Sequence, residues 1–182
     1  MALWLPILLS AVAVFFLSFI VRMVLPYHRN DFSKLPAEDD VMAAIRSANV
    51  PVGEYMFPFF GSPAAMRDPA CIEKRNRGPV GIIRVIPSGM PSMGMYLVQW
   101  FVYSLVIGVI IAHLAFDALG AGAGSGHVFH LTGAMAFLAY GFASIESSIW
   151  WGRQWRITLK ELFDALLFGA ATGAVFMWLW PK

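Results

Sequence analysis

Four apolar runs of about 20 residues each, the length a helix needs to cross roughly 30 Å of hydrocarbon, decide the class of this chain. They fall at residues 3–25, 96–119, 127–149 and 162–180. Hydrocarbon cannot hydrogen-bond a free peptide group, and a closed barrel would show short alternating segments instead, so each run is expected to be a helix. Composition agrees: 59% of the 182 residues are hydrophobic and 13% are charged, outside the ordinary soluble range. The expected fold class is an all-α membrane protein, with four transmembrane helices in a bundle. Its parts are a first helix over 1–25, an insert over 26–94 and a three-helix membrane region over 95–182.

The first run lacks a basic leading segment, is too long for a signal core, and meets no small-x-small cleavage site before Arg22 and Pro26, so it is expected to be an uncleaved anchor. Orientation follows from the loops. Arg29, Lys34, Arg46, Arg67, Lys74, Arg75, Arg77 and Arg84 lie between the first two runs, and Arg153, Arg156 and Lys160 lie before the fourth. Opposite them stands only Lys182. The positive-inside rule then expects both basic segments in the cytoplasm and both termini outside. The one cysteine, Cys71, falls in the inside segment, where an unpaired thiol stays reduced. A net charge of +2 argues against nucleic acid as a partner.

The insert mixes short-helix and extended patterns. Pro36 to Arg46 reads as a helix with proline and acids in its first turn, Arg46 near its end and Asn49 closing it. A second helix is expected from Pro69 to Arg77, capped by Asp68 and stopped by Gly78. Residues 52–60 and 80–86 are extended and apolar, and either pair as a small β-ribbon or lie on the membrane surface. The aromatic run Tyr55-Met-Phe-Pro-Phe-Phe60 suits a contact surface or the headgroup layer. Met90, Met93 and Met95 offer thioethers of the kind Cu(I) prefers, but without a neighbouring Cys or His they read as adaptable apolar filler.

Ionisable groups inside apolar runs are costly and therefore mark candidate sites. His113 and Asp117 sit a turn apart near one end of the second run, and His127 and His130 follow just across the glycine-rich turn Gly120–Gly126. On adjacent antiparallel helices the four reach similar depth. They read first as polar glue between helices; the alternatives are a metal site of His113, Asp117, His127 and His130 suited to Zn, Cu(II) or Fe, and then a haem b site with His113 and His130 as axial ligands. Asp117 also suits a proton relay. Glu146, near the other end of the third run, has Arg153, Arg156 and Arg22 as expected ion-pair partners. Gly169-Ala-Ala-Thr-Gly173 is a G-x-x-x-G step for close helix packing, against the third run or against another copy.

Tyr27-His-Arg-Asn-Asp-Phe-Ser-Lys-Leu-Pro-Ala-Glu-Asp-Asp40, Gly78-Pro-Val-Gly81, Leu97-Val-Gln-Trp-Phe-Val-Tyr103 and Leu159-Lys-Glu-Leu-Phe-Asp-Ala165 resemble an uncharacterised family of small four-span bacterial inner-membrane proteins. The resemblance implies a bacterial inner-membrane location and a four-span layout, and no activity. Phosphate loops, nucleophile elbows, H-E-x-x-H and C-x-x-C motifs and internal repeats are all absent from the sequence. The function expected is therefore non-catalytic: an accessory or scaffold subunit in contact with the lipid bilayer and with other membrane subunits or copies of itself. The alternatives are a redox protein holding a transition metal or haem at the outer histidines, and a small oligomeric channel or transporter built on Gln99, Glu146 and Asp164.

Overall fold

A computed structural model describes residues 3–182, in two compact units: one formed by the N-terminal segment to Phe32 with Ser92–Lys182, the other by Ser33–Pro91. The first unit holds four helical passages long and apolar enough to cross a membrane, Trp4–Val24, Met93–Leu119, Ser125–Trp150 and Trp155–Leu179. Helix α1 (Trp4–Phe19) continues through a π-helical turn at Ile20–Val24. The last helix begins at Trp155, earlier than the apolar run alone indicates, because Arg156, Lys160 and Glu161 extend it into a polar first turn and a half.

Taken in chain order, α2 (Glu38–Ser47), β1 (Gly53–Phe57), α3 (Pro69–Arg77) and β2 (Gly81–Val85) make up the second unit, and α4 (Met93–Leu119), α5 (Ser125–Gly141), α6 (Ala143–Trp150) and α7 (Trp155–Leu179) complete the first. α4 opens on a Ser92 hydroxyl that accepts from the Met95 amide. α5 and α6 are one passage interrupted at Phe142.

The bundle is assembled around the α5–α7 seam, where glycines bring the two backbones together. A Cβ placed on Gly169 would stand 2.7 Å from the Gly133 carbonyl oxygen, and one on Gly173 would stand 2.8 Å from that of Phe129. The G-x-x-x-G step of Gly169 and Gly173 thus faces α5 of its own chain. α1 lies against both α4 and α7. Ile107, Ile111, Ala115, Val128, Ala136 and Phe176 form the buried apolar core. Buried hydroxyls on these faces turn back on their own helices: Thr132 donates to the Val128 carbonyl and Ser104 to that of Trp100. At the glycine-turn end, the Trp180 indole donates to the Gly120 carbonyl and the Gly122 amide to that of Pro181, tying the last residues to the α4–α5 turn.

In the second unit β1 and β2 pair antiparallel, with Gly53 opposite Val85 and Phe57 opposite Gly81, so the two extended stretches do form a ribbon. Glu54 and Arg84 stand directly opposite in that register, with their side chains 2.7 Å apart. α3 has the expected ends: Asp68 accepts from the Ala70 amide and Gly78 takes a positive φ. α2 differs from expectation. It starts at Glu38, after Ala37 in the left-handed region, which leaves Pro36 outside the helix.

The glycine seam yields a direct prediction. Gly169→Ala or Gly133→Ala forces a carbonyl on the facing helix to retreat, and overpacking of this kind costs about 1–3 kcal/mol. Thermal unfolding in detergent is expected to show the loss, with Ala174→Leu, at an exposed position of α7, as the neutral control.

Candidate functional site

The polar groups that the structure brings together lie at the end of the bundle where α1 leaves and α7 enters. Leu25 is extended, as a residue before proline must be, and Pro26 opens a single 3₁₀ turn through His28. That turn carries Tyr27, His28 and Asp31 back toward α7. On α7, Lys160, Glu161 and Asp164 share one face at helical spacing.

Asp164 is the centre. Only 1% of it is exposed, yet its carboxylate is fully partnered. The Tyr27 hydroxyl donates to Oδ1, and His28 Nε2 lies 2.9 Å from Oδ2. The other ring nitrogen of His28, Nδ1, is 2.5 Å from Asp31 Oδ2. An imidazolium donates to both carboxylates at once. A neutral ring donates to one and needs a protonated carboxyl to satisfy the other. Lys160 Nζ closes the circuit by donating to Asp31 Oδ1 at 2.5 Å and to the Tyr27 backbone carbonyl. Beside this ring Arg153 grips Glu161 with two hydrogen bonds of 2.5 and 2.7 Å. Arg22, on the π-helical turn, stands 3.5 Å from Asp164 and 3.7 Å from Glu161, beyond hydrogen-bonding reach of both. Among the described residues, no buried side-chain nitrogen or oxygen lacks a partner.

Electrostatics follow from this arrangement. Burial alone would raise the Asp31 carboxyl, but hydrogen bonds from Lys160 and His28, with the charges behind them, outweigh it and hold its pKa below the usual value. For Tyr27, burial, the hydrogen bond to Asp164 and that carboxylate's charge all act in one direction and push the phenol well above its ordinary range. The tyrosine is thereby kept as a donor.

The residues singled out from sequence lie elsewhere. His113 Nε2 is 3.6 Å from Asp117 Oδ2, one turn apart on α4, and both side chains are exposed. His127 is exposed in the first turn of α5. His130 lines a groove between α5 and α7 with Phe129, Gly133, Phe137, Leu166 and Gly169. Among the described residues no three His, Cys, Asp or Glu side chains gather as a metal-holding group, so the four do not converge as expected. The reason lies in the rotation of α5: its glycine face is committed to α7, and that sets where His130 opens. Glu146 is exposed on α6, and both Arg22 and Arg153 turn to Glu161 instead. The sequence carried one signal for the observed site. Asp164 is an ionisable residue inside an apolar run, and Lys160 four residues before it marks the face it occupies.

Comparison with protein-family models, with curated proteins and with solved structures gives no match. The chemistry of the site therefore rests on its own geometry. Tyr27, His28 and Asp31 on one segment bond to Lys160 and Asp164 on the other, which makes the arrangement a latch between the 26–31 turn and α7.

Two outcomes test the latch. Asp164→Ala removes one partner of a buried charged group and is expected to cost about 3–5 kcal/mol of bundle stability, whereas Asp164→Asn, which retains the shape, costs less; unfolding in detergent separates them. The second concerns pH. Because the Asp31 carboxyl is held low in the folded protein, its contribution is complete above the free carboxylate value of about 3.9. It is lost as pH falls through the lower folded value. Thermal stability of the wild type is therefore expected to drop below pH 4 more steeply than that of Asp31→Asn, and parallel curves would contradict the assignment.

Proposed function

We propose that the chain is a non-catalytic integral membrane protein, an accessory or scaffold subunit of a bacterial inner-membrane complex, whose bundle is the anchor and whose 33–91 unit is the contact face. The observation that carries this reading is the near absence of a core in that unit. Among the described residues of 33–91 only Pro58 is buried. Val52, Phe59, Met66, Ile86 and Met90 are between 61% and 96% exposed. A unit this small is marginal even with a good core, and a large exposed apolar surface marks a place where another molecule sits. The polar latch fits the same reading, since its side chains are engaged in holding the bundle together.

The lysines and arginines of the 33–91 unit support a cytoplasmic position for it under the positive-inside rule. Its occupant is another membrane subunit or a second copy of this chain. Site-specific photo-crosslinking from Phe59, Met66 and Ile86 in native membranes tests this. A discrete protein adduct from at least two of the three positions is expected, whereas crosslinks to lipid alone would overturn the proposal.

A further inference from the structure

A lateral groove runs down the bundle between α1 and α4, and its one polar end is Arg22. The main cavity, about 590 Å³, is lined by Phe15, Phe16, Phe19, Arg22, Tyr96 and Trp100, with Phe168 of α7 at its floor. That volume is typical of small-molecule and cofactor sites. A shallower cavity of about 320 Å³ shares Phe15, Phe16 and Leu97 with it and extends to Val12 and Phe101. Ser18 also lines the groove, but its oxygen already accepts from the Trp100 indole at 2.9 Å and its hydroxyl donates to the Phe15 carbonyl, so it offers a ligand little.

We propose that this groove binds one phospholipid, with its phosphate on the Arg22 guanidinium and one acyl chain along Phe15, Phe16, Leu97 and Trp100. Three observations carry the assignment. The first is polarity: a groove apolar along its length and cationic at one end fits an amphiphile with an anionic head. The second is length. Arg22 to Val12 is ten residues, about 15 Å of helix, which is half of a hydrocarbon core roughly 30 Å thick. The groove thus matches a chain from a single leaflet, whereas a partner transmembrane helix would need a face twice as long. Arg22 also sits in the last turn before Leu25 and Pro26 leave the helix, at headgroup depth.

The third is the state of Arg22 itself. The two carboxylates near it are satisfied without it, Glu161 by Arg153 and Asp164 by Tyr27 and His28. Arg22 makes no hydrogen bond among the described residues, and its side chain is 47% exposed. Both carboxylates face the same guanidinium nitrogen, Nη2. The two-bond hold of Arg153 on Glu161, and the bonds of Tyr27 and His28 to Asp164, limit the repulsion those carboxylates would exert on an incoming phosphate.

Native mass spectrometry of the full chain in detergent, titrated with dioleoyl phosphatidylglycerol and with dioleoylglycerol as the phosphate-free control, tests the proposal. One saturable phosphatidylglycerol adduct is expected, with dioleoylglycerol binding about tenfold more weakly. Arg22→Gln is expected to bring phosphatidylglycerol down to the level of the control, and Arg22→Lys to restore part of the difference. Leu97→Trp, which fills the groove and leaves Arg22 in place, is expected to weaken both lipids together and serves if the Arg22 variants do not fold. Equal binding of the two lipids to the wild type, or binding unchanged by Leu97→Trp, would overturn the assignment.

Discussion

A buried carboxylate must be partnered where it stands, and one end of this bundle is arranged so that Asp164 is. The cost of leaving a buried charge without partners is several kcal/mol, larger than any single packing contact can offset. The chain meets it by ending α1 abruptly at Leu25–Pro26 and turning back, so that Tyr27 and His28 donate to the carboxylate. Asp31 and Lys160 then hold the imidazole and the turn in place. That interaction thus ties the end of the first passage to the first turns of the last.

Away from that end, contact between helices depends on closeness rather than charge. Lipid is as apolar as the side chains it would replace, so helices associate through packing and backbone approach. Gly133, Gly169 and Gly173 allow that approach along α5 and α7. The tie between Trp180 and Gly120 closes the opposite end. Where α1 meets α4, Gly108 packs on Ile7 and Ser10, but toward Arg22 the contact is made by aromatic rings and a groove remains.

The 33–91 unit obeys different rules. Its ribbon is held in register by backbone pairing and the Glu54–Arg84 pair, and its α3 helix is well capped, but these local devices do not create an interior. The two units differ in this respect: the bundle has a buried apolar core, whereas among the described residues of 33–91 only Pro58 is buried.

The sequence by itself determined the class and the count of passages, because hydrocarbon permits so few ways to satisfy a backbone. It also determined the Asp68–Gly78 limits of α3 and the close-packing role of small residues, since caps and glycine steps act within a turn or two of chain. It did not determine which ionisable groups meet. His113, Asp117, His127 and His130 are near one another along the chain and its turn, yet the rotation of α5 toward α7 leaves them ungathered. Tyr27, His28 and Asp31 are more than 120 residues from Lys160 and Asp164. Only the placement of α1 beside α7 brings them into one ring, because helical phase and the choice of neighbour are set by packing across the bundle and not by any pattern local enough to read along the chain.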